Sequence, residues 1–226
     1  MKQILITGCS RSGHNFVADQ IDYWNQDRKY EIIRSDDYHP KLHGRKAIDL
    51  YKYGIPADEK KGIVAIWILR GFTNWLASYM MWITDKGTRP ISETNLAQAI
   101  DTWKEHVRAY QFTKGIQGAV NIFIKYEDFT FHPEARKKTA GHLGLPWYDD
   151  RIHIRSTQGR GSSFEYWIQV GARSETQQRY KKVHPQILDQ LYRDVLINSK
   201  DAVELYKDNW TIPREERTYI DNLLAI

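Results

Sequence analysis

The chain has 226 residues, with 33 Lys and Arg against 28 Asp and Glu and a net charge of +5. Hydrophobic residues make up 41% and aromatics 13%, enough for a packed core, which excludes wholesale disorder. The basic residues are scattered rather than gathered into a block, so the charge suits a small anionic ligand and speaks against nucleic acid. A single cysteine, Cys9, excludes an internal disulfide and fits a reducing compartment. No apolar run approaches about 18 residues, so no membrane span is expected. With a core strand predicted after two residues no signal peptide is expected, and the expected location is cytoplasmic. No linker divides the chain, which reads as one domain over residues 1–226.

The first informative stretch is Gln3-Ile-Leu-Ile-Thr-Gly8-Cys-Ser-Arg-Ser-Gly13-His-Asn-Phe-Val17. The run Ile4-Leu5-Ile6 predicts a buried strand, broken by Gly8. Ser10 to Gly13 predict a tight loop, and Phe16, Val17, Ile21 and Trp24 then follow helical spacing over about Gly13 to Asn25. Strand, glycine loop and helix in that order aim backbone N–H groups and a positive helix end at an anion. The spacing Gly8-x4-Gly13 is that of a phosphate loop, but His14 and Asn15 stand where Lys and Ser/Thr would be. The fixed positive charge has moved forward to Arg11. Such a loop suits an anionic group handled without a tightly held metal. Cys9 lies inside it, and with no His–Asn partner pattern it reads as a small space-filling residue rather than a nucleophile.

Tyr30 to Arg34 predict a second strand, which Ser35-Asp-Asp-Tyr-His-Pro40 closes in a polar loop. A short helix is expected at Ala47–Tyr53 within a charged, glycine-punctuated region. Ile63-Val-Ala-Ile-Trp-Ile-Leu69 is apolar without alternation, as in a parallel strand covered on both faces. It ends at Arg70-Gly71, and a helix is expected from Thr73 to about Asp85. Ser92 opens a long amphipathic helix reaching Lys114. Ala119 to Tyr126 predict a further strand ending at Glu127-Asp128, and Pro133 opens a helix closing at Gly144-Leu-Pro146. Arg155 to Ser163 read as loop, and helices are expected near Pro185–Asn198, Asp201–Asp208 and Glu215–Leu224. Strands alternating with helices predict an α/β fold with a central parallel sheet in three α/β/α layers. Ligands of such sheets sit at the carboxyl ends of the strands. There the chain places Arg11 and His14, Asp37 to His39, Arg70, and Tyr126 to Asp128.

Together these segments resemble the sulfotransferases that use 3′-phosphoadenosine 5′-phosphosulfate (PAPS), whose fold is like that of P-loop nucleotide kinases. Thr7-Gly-Cys-Ser-Arg-Ser-Gly13 is similar to the family's 5′-phosphosulfate loop, with Ser10 in place of a common Pro and His14-Asn15 in place of Thr or Ser. Ile68-Leu-Arg70 followed by Ser78 is similar to the 3′-phosphate site, with Phe72 in place of Pro. Lys125-Tyr-Glu-Asp-Phe129 and His142-Leu-Gly-Leu-Pro146 resemble the later landmarks, where the Tyr lies by the adenine. The resemblance implies sulfuryl transfer from PAPS to a hydroxyl or amine of a small-molecule, glycan or lipid acceptor, leaving adenosine 3′,5′-bisphosphate. The donor would be held by Ser10, Arg11, Ser12, Gly13, His14, Asn15, Arg70, Ser78 and Tyr126. A late basic segment would close on the 3′-phosphate, either Arg160-Gly161-Ser-Ser163 or Arg173 to Lys182, which contains Arg179.

In-line sulfuryl transfer needs a base for the acceptor proton and cations on the leaving phosphate oxygen. Arg11 and His14 would supply the cations. His39 is the candidate base, because Tyr38-His-Pro40 resembles the family's post-strand histidine segment and a neutral imidazole accepts a proton at pH 7. His43, Asp37 and Glu31 are its rivals. No metal is required, because a sulfuryl group carries less charge than a phosphoryl group. The alternative is a P-loop kinase or NTPase using ATP and Mg²⁺, with Asp128 on the metal.

Overall fold

In a computed structural model, residues 2–9, 11–36, 62–83, 92–112, 114–148 and 189–225 are described. Four strands, β1 (Lys2–Gly8), β2 (Tyr30–Asp36), β3 (Ile63–Leu69) and β4 (Val120–Lys125), form an all-parallel sheet in the order β2-β1-β3-β4. The described helices are α1 (His14–Trp24), α2 (Phe72–Ile83), α3 (Glu93–Gln111), α4 (Tyr126–Phe131), α5 (Pro133–Leu143), α6 (Asp189–Asn198), α7 (Lys200–Asn209) and α8 (Arg214–Leu224).

The two most apolar runs take the two central strands, which must bury both faces. Successive strand residues point to opposite faces, and the core divides accordingly. Ile4, Ile6, Ile66, Ile68 and Ile124 pack with Val17, Ala18 and Ile21 of α1 and with Phe129, Ala140 and Leu143. Leu5, Ala65 and Trp67 pack with Ile116 in a separate cluster. A third cluster joins α2 and α3 to the last three helices through Trp75, Trp103, Tyr192, Val203 and Ile220. Burial on both faces is compatible with three layers.

The order matters for function. From β1 the chain passes to β2 on one side, then returns to place β3 on the other. The gap between the carboxyl ends of β1 and β3 is therefore the point where the winding reverses, and open parallel sheets bind ligands at such points. The register sets Gly8 beside Ile68, so the loop after β1 and the turn after β3 leave the sheet side by side.

Local signals behave as their chemistry requires. Ser92 caps α3, its Oγ accepting from the Asn95 N–H, and Pro133 opens α5. Several boundaries differ from expectation, and α3 ends at Gln111 short of Lys114. β2 runs on to Asp36, because parallel pairing with Thr7 and Gly8 holds Ser35 and Asp36 in line despite their polarity. The segment from Tyr126 to Phe131 coils into α4 rather than prolonging β4. The expected helix at Ala47–Tyr53 and the loop at 155–163 lie outside the described residues. Among the described residues no helix is long and apolar enough to cross a membrane.

Candidate anion-binding site

The site begins where β1 ends. The Ser12 N–H donates to the Cys9 carbonyl at 2.9 Å, closing a four-residue turn whose third residue, Arg11, has φ +72°. A turn with positive φ at its third position is ordinarily given to glycine or asparagine, and an arginine there carries about 1–2 kcal/mol of strain. Gly13 follows at φ +99° and precedes the first residue of α1. A Cβ on Gly13 would run into the Tyr126 ring, and one on Gly8 would meet Ser12 Oγ and lie 2.7 Å from the Ile68 carbonyl. Both glycines are thus fixed by crowding within the loop.

Ser12 is buried at 1% exposure, and among the described residues its Oγ has no hydrogen-bond partner. A buried hydroxyl inside an anion-type loop fits a ligand oxygen. His14 is buried at the start of α1, and Asn15 beside it is half-buried. Helix α1 thus meets the loop with its unsatisfied N–H end.

The second guanidinium arrives from β3. Arg70 is 2% exposed, and its Nη1 donates to the carbonyl oxygen of Arg11 at 2.9 Å. Its guanidinium carbon lies 5.0 Å from the centre of the Tyr126 ring, a cation–π distance. The Arg70 carbonyl accepts from Trp103 Nε1 at 2.9 Å, and the next amide, Gly71 N–H, donates to Glu127 Oε1 at 3.0 Å. Glu127 Oε2 accepts from Trp210 Nε1 at 3.4 Å. Burial lowers the Arg70 pKa while Tyr126 and Glu127 oppose that shift. Burial pushes the Glu127 carboxyl up while Arg70 pulls it back.

The structure therefore brings Arg11, Ser12, Gly13, His14, Asn15, Arg70 and Tyr126 around one loop. Arg70 stands against this loop rather than apart from it. Tyr126 packs against Gly13, the Arg70 guanidinium and Phe16, the last at 5.6 Å between ring centres. Ser78 is fully buried in α2, six residues or about 9 Å along the axis from Phe72. Ser10, His39, His43, Asp37, Arg160, Gly161 and Arg179 lie outside the described residues.

Glu31, a rival for the base, lies away from the loop. It pairs with Gln3 near the opposite end of β1, five residues or about 17 Å from Gly8, and accepts from Gln3 Nε2 at 2.8 Å. Asp128 is exposed and lines a hollow with Tyr110, Asn121, Lys138 and His142, along β4 and α5, to which no described loop residue contributes. Cys9 has a histidine partner that its sequence neighbourhood does not signal. Its Sγ lies 3.3 Å from His106 Nδ1, which in turn lies 2.8 Å from the Thr102 carbonyl. The carbonyl requires a proton on Nδ1, so the sulfur serves as a second acceptor. At 4% and 1% exposure the pair is sealed from solvent and packs the underside of the loop.

No model of a known protein family matches the chain, and no curated protein matches it. The residues that sequence reasoning missed, Trp103, His106 and Trp210, act from distant elements on the loop and on the turn after β3.

Proposed function

We propose that the chain is a PAPS-dependent sulfotransferase with a P-loop-like α/β/α fold. The observation that carries this reading is the convergence of Arg70 on the Arg11 carbonyl at the reversal point of the sheet. Arg70, a helix N-terminus and the Ser12 hydroxyl then meet at the loop that carries Arg11, a set suited to a ligand with more than one anionic group. The resemblance of the loop, of Arg70 with Ser78, and of the Lys125–Phe129 segment to PAPS sulfotransferases supports the choice of anion.

PAPS supplies the sulfuryl group: the acceptor oxygen or nitrogen bonds to sulfur while the bond from sulfur to the phosphate oxygen breaks, and the acceptor proton passes to a base. Arg11 and His14 meet the charge that builds on the departing oxygen. Arg70 and Ser78 hold the 3′-phosphate end. His39 takes the proton. The products are the sulfated acceptor and adenosine 3′,5′-bisphosphate. The kinase reading is disfavoured by Asp128, which sits on the hollow beside β4 rather than at the loop.

A thermal-shift comparison separates the two. Adenosine 3′,5′-bisphosphate in EDTA should raise Tm by several degrees, and ATP with Mg²⁺ should do little. Stabilisation by ATP with Mg²⁺ alone would overturn the assignment.

A further inference from the structure

Two consecutive residues at the end of β4 grip two consecutive residues after β3. The Tyr126 ring lies along the Arg70 guanidinium, and the Glu127 carboxylate accepts the Gly71 N–H. Gly71 is also the residue whose carbonyl receives the first bond of α2, from the Trp75 N–H at 2.8 Å. Glu127 thus places a negative charge at the positive end of α2, and that end is satisfied from within the protein. The carboxylate also reaches Trp210, at the close of α7, so three separated parts of the chain meet at one side chain.

A buried guanidinium needs compensating charge close by. Arg11 is itself cationic and its carbonyl is only a neutral acceptor for Arg70. The charge of Glu127 is one of the influences that oppose the lowering of the Arg70 pKa by burial. Fixing the Gly71 amide also fixes the peptide that follows Arg70, and hence the direction in which its side chain leaves the backbone.

We propose that Glu127 is a positioning residue of the anion site: through the Gly71 amide and its charge beside Arg70, it sets the guanidinium on the Arg11 carbonyl and so holds the loop in its left-handed turn. The nucleotide side of this claim rests on the sulfotransferase reading. The geometric side does not.

The test uses the full chain with Glu127→Gln, which keeps size and an acceptor but removes the charge. Trp210→Phe is the milder second variant, since it removes only the donor to Oε2. A crystal structure of nucleotide-free E127Q should show the Arg70 guanidinium withdrawn from the Arg11 carbonyl. By calorimetry, E127Q should bind adenosine 3′,5′-bisphosphate about tenfold or more weakly, the weight of one charge-assisted hydrogen bond. Arg70→Lys should lose a similar factor, and the double variant should lose little beyond either single one, because both changes act through the same side chain. W210F should show a smaller loss in the same direction. An Arg70–Arg11 contact unchanged in nucleotide-free E127Q overturns the inference, as do fully additive losses in the double variant. Failure of the wild-type chain to bind the bisphosphate overturns the sulfotransferase reading instead, and the nucleotide-free structure still decides the role of Glu127.

Discussion

Arg70 donates from Nη1 to the carbonyl oxygen of Arg11, 59 positions earlier in the chain, at 2.9 Å. The contact ties the turn after β3 to the loop after β1. It also pins a loop residue whose backbone is left-handed without being glycine. A cation that holds the backbone of another cation leaves positive charge to be balanced, a need that an anion would meet.

Gly13 tests the packing of this loop. Replacing it with Ala forces a side chain into φ +99° and against the Tyr126 ring. The combined cost should be about 2–4 kcal/mol, from backbone strain and overpacking together. In a chain of this length that is a fall in Tm of roughly 5–15 °C. Gly141 is the control: it lies inside α5 with open space around its Cα, so Gly141→Ala should stabilise by about 0.5–1 kcal/mol. Paired calorimetric melts check both signs, and equal effects at the two positions would contradict the packing described.

Arg11 should separate binding from stability. Arg11→Gly relieves the strain of φ +72° but frees the unfolded chain, so stability should stay within about 1 kcal/mol of wild type. Affinity for adenosine 3′,5′-bisphosphate should nevertheless fall tenfold or more. A destabilised variant that binds normally would mean that Arg11 serves the fold and not the ligand.

Glu216 makes stability depend on pH. It is 2% exposed, and its Oε1 accepts from the hydroxyl of Thr73 and, at 2.8 Å, from that of Tyr206. Burial pushes its carboxyl up to about 7, against the pull of the two donors. The folded state keeps this proton where the unfolded chain has lost it. Its contribution is therefore full below about pH 4.5 and declines as pH rises to about 7, by at most about 3 kcal/mol, then levels off. Urea titrations at pH 5, 6, 7 and 8 should show the Glu216→Gln variant gaining on wild type across that window. Parallel curves would contradict the assignment.

Much of the architecture could be read from pattern alone, because long apolar runs have few ways to be buried. Ile63–Leu69 is a strand over the residues its composition indicates, and Gly13 and Asn25 flank α1 as expected. The short α4 escaped because six residues beginning with a tyrosine continue the strand-like composition of β4. At the site, local signals placed Arg11 and Gly13 in the loop and Arg70 at a strand end. What they could not show is which distant side chains complete it. Glu127 finds Gly71 across 56 positions and Trp210 across 83, and His106 meets Cys9 across 97. Such partners are fixed by how helices pack on the sheet, and no spacing rule encodes them. Sequence pattern equally gives no warning that an arginine, rather than a glycine, takes the left-handed position in the turn.

The central claim is that Arg11 and Arg70 act on one sulfate-donor nucleotide. Titration calorimetry with adenosine 3′,5′-bisphosphate in EDTA tests it most directly, on the wild-type chain and on Arg11→Met and Arg70→Met. One nucleotide should bind per chain without metal, with affinity reduced tenfold or more in each variant. Absence of binding to the wild-type chain, or undiminished affinity in either variant, would contradict the account.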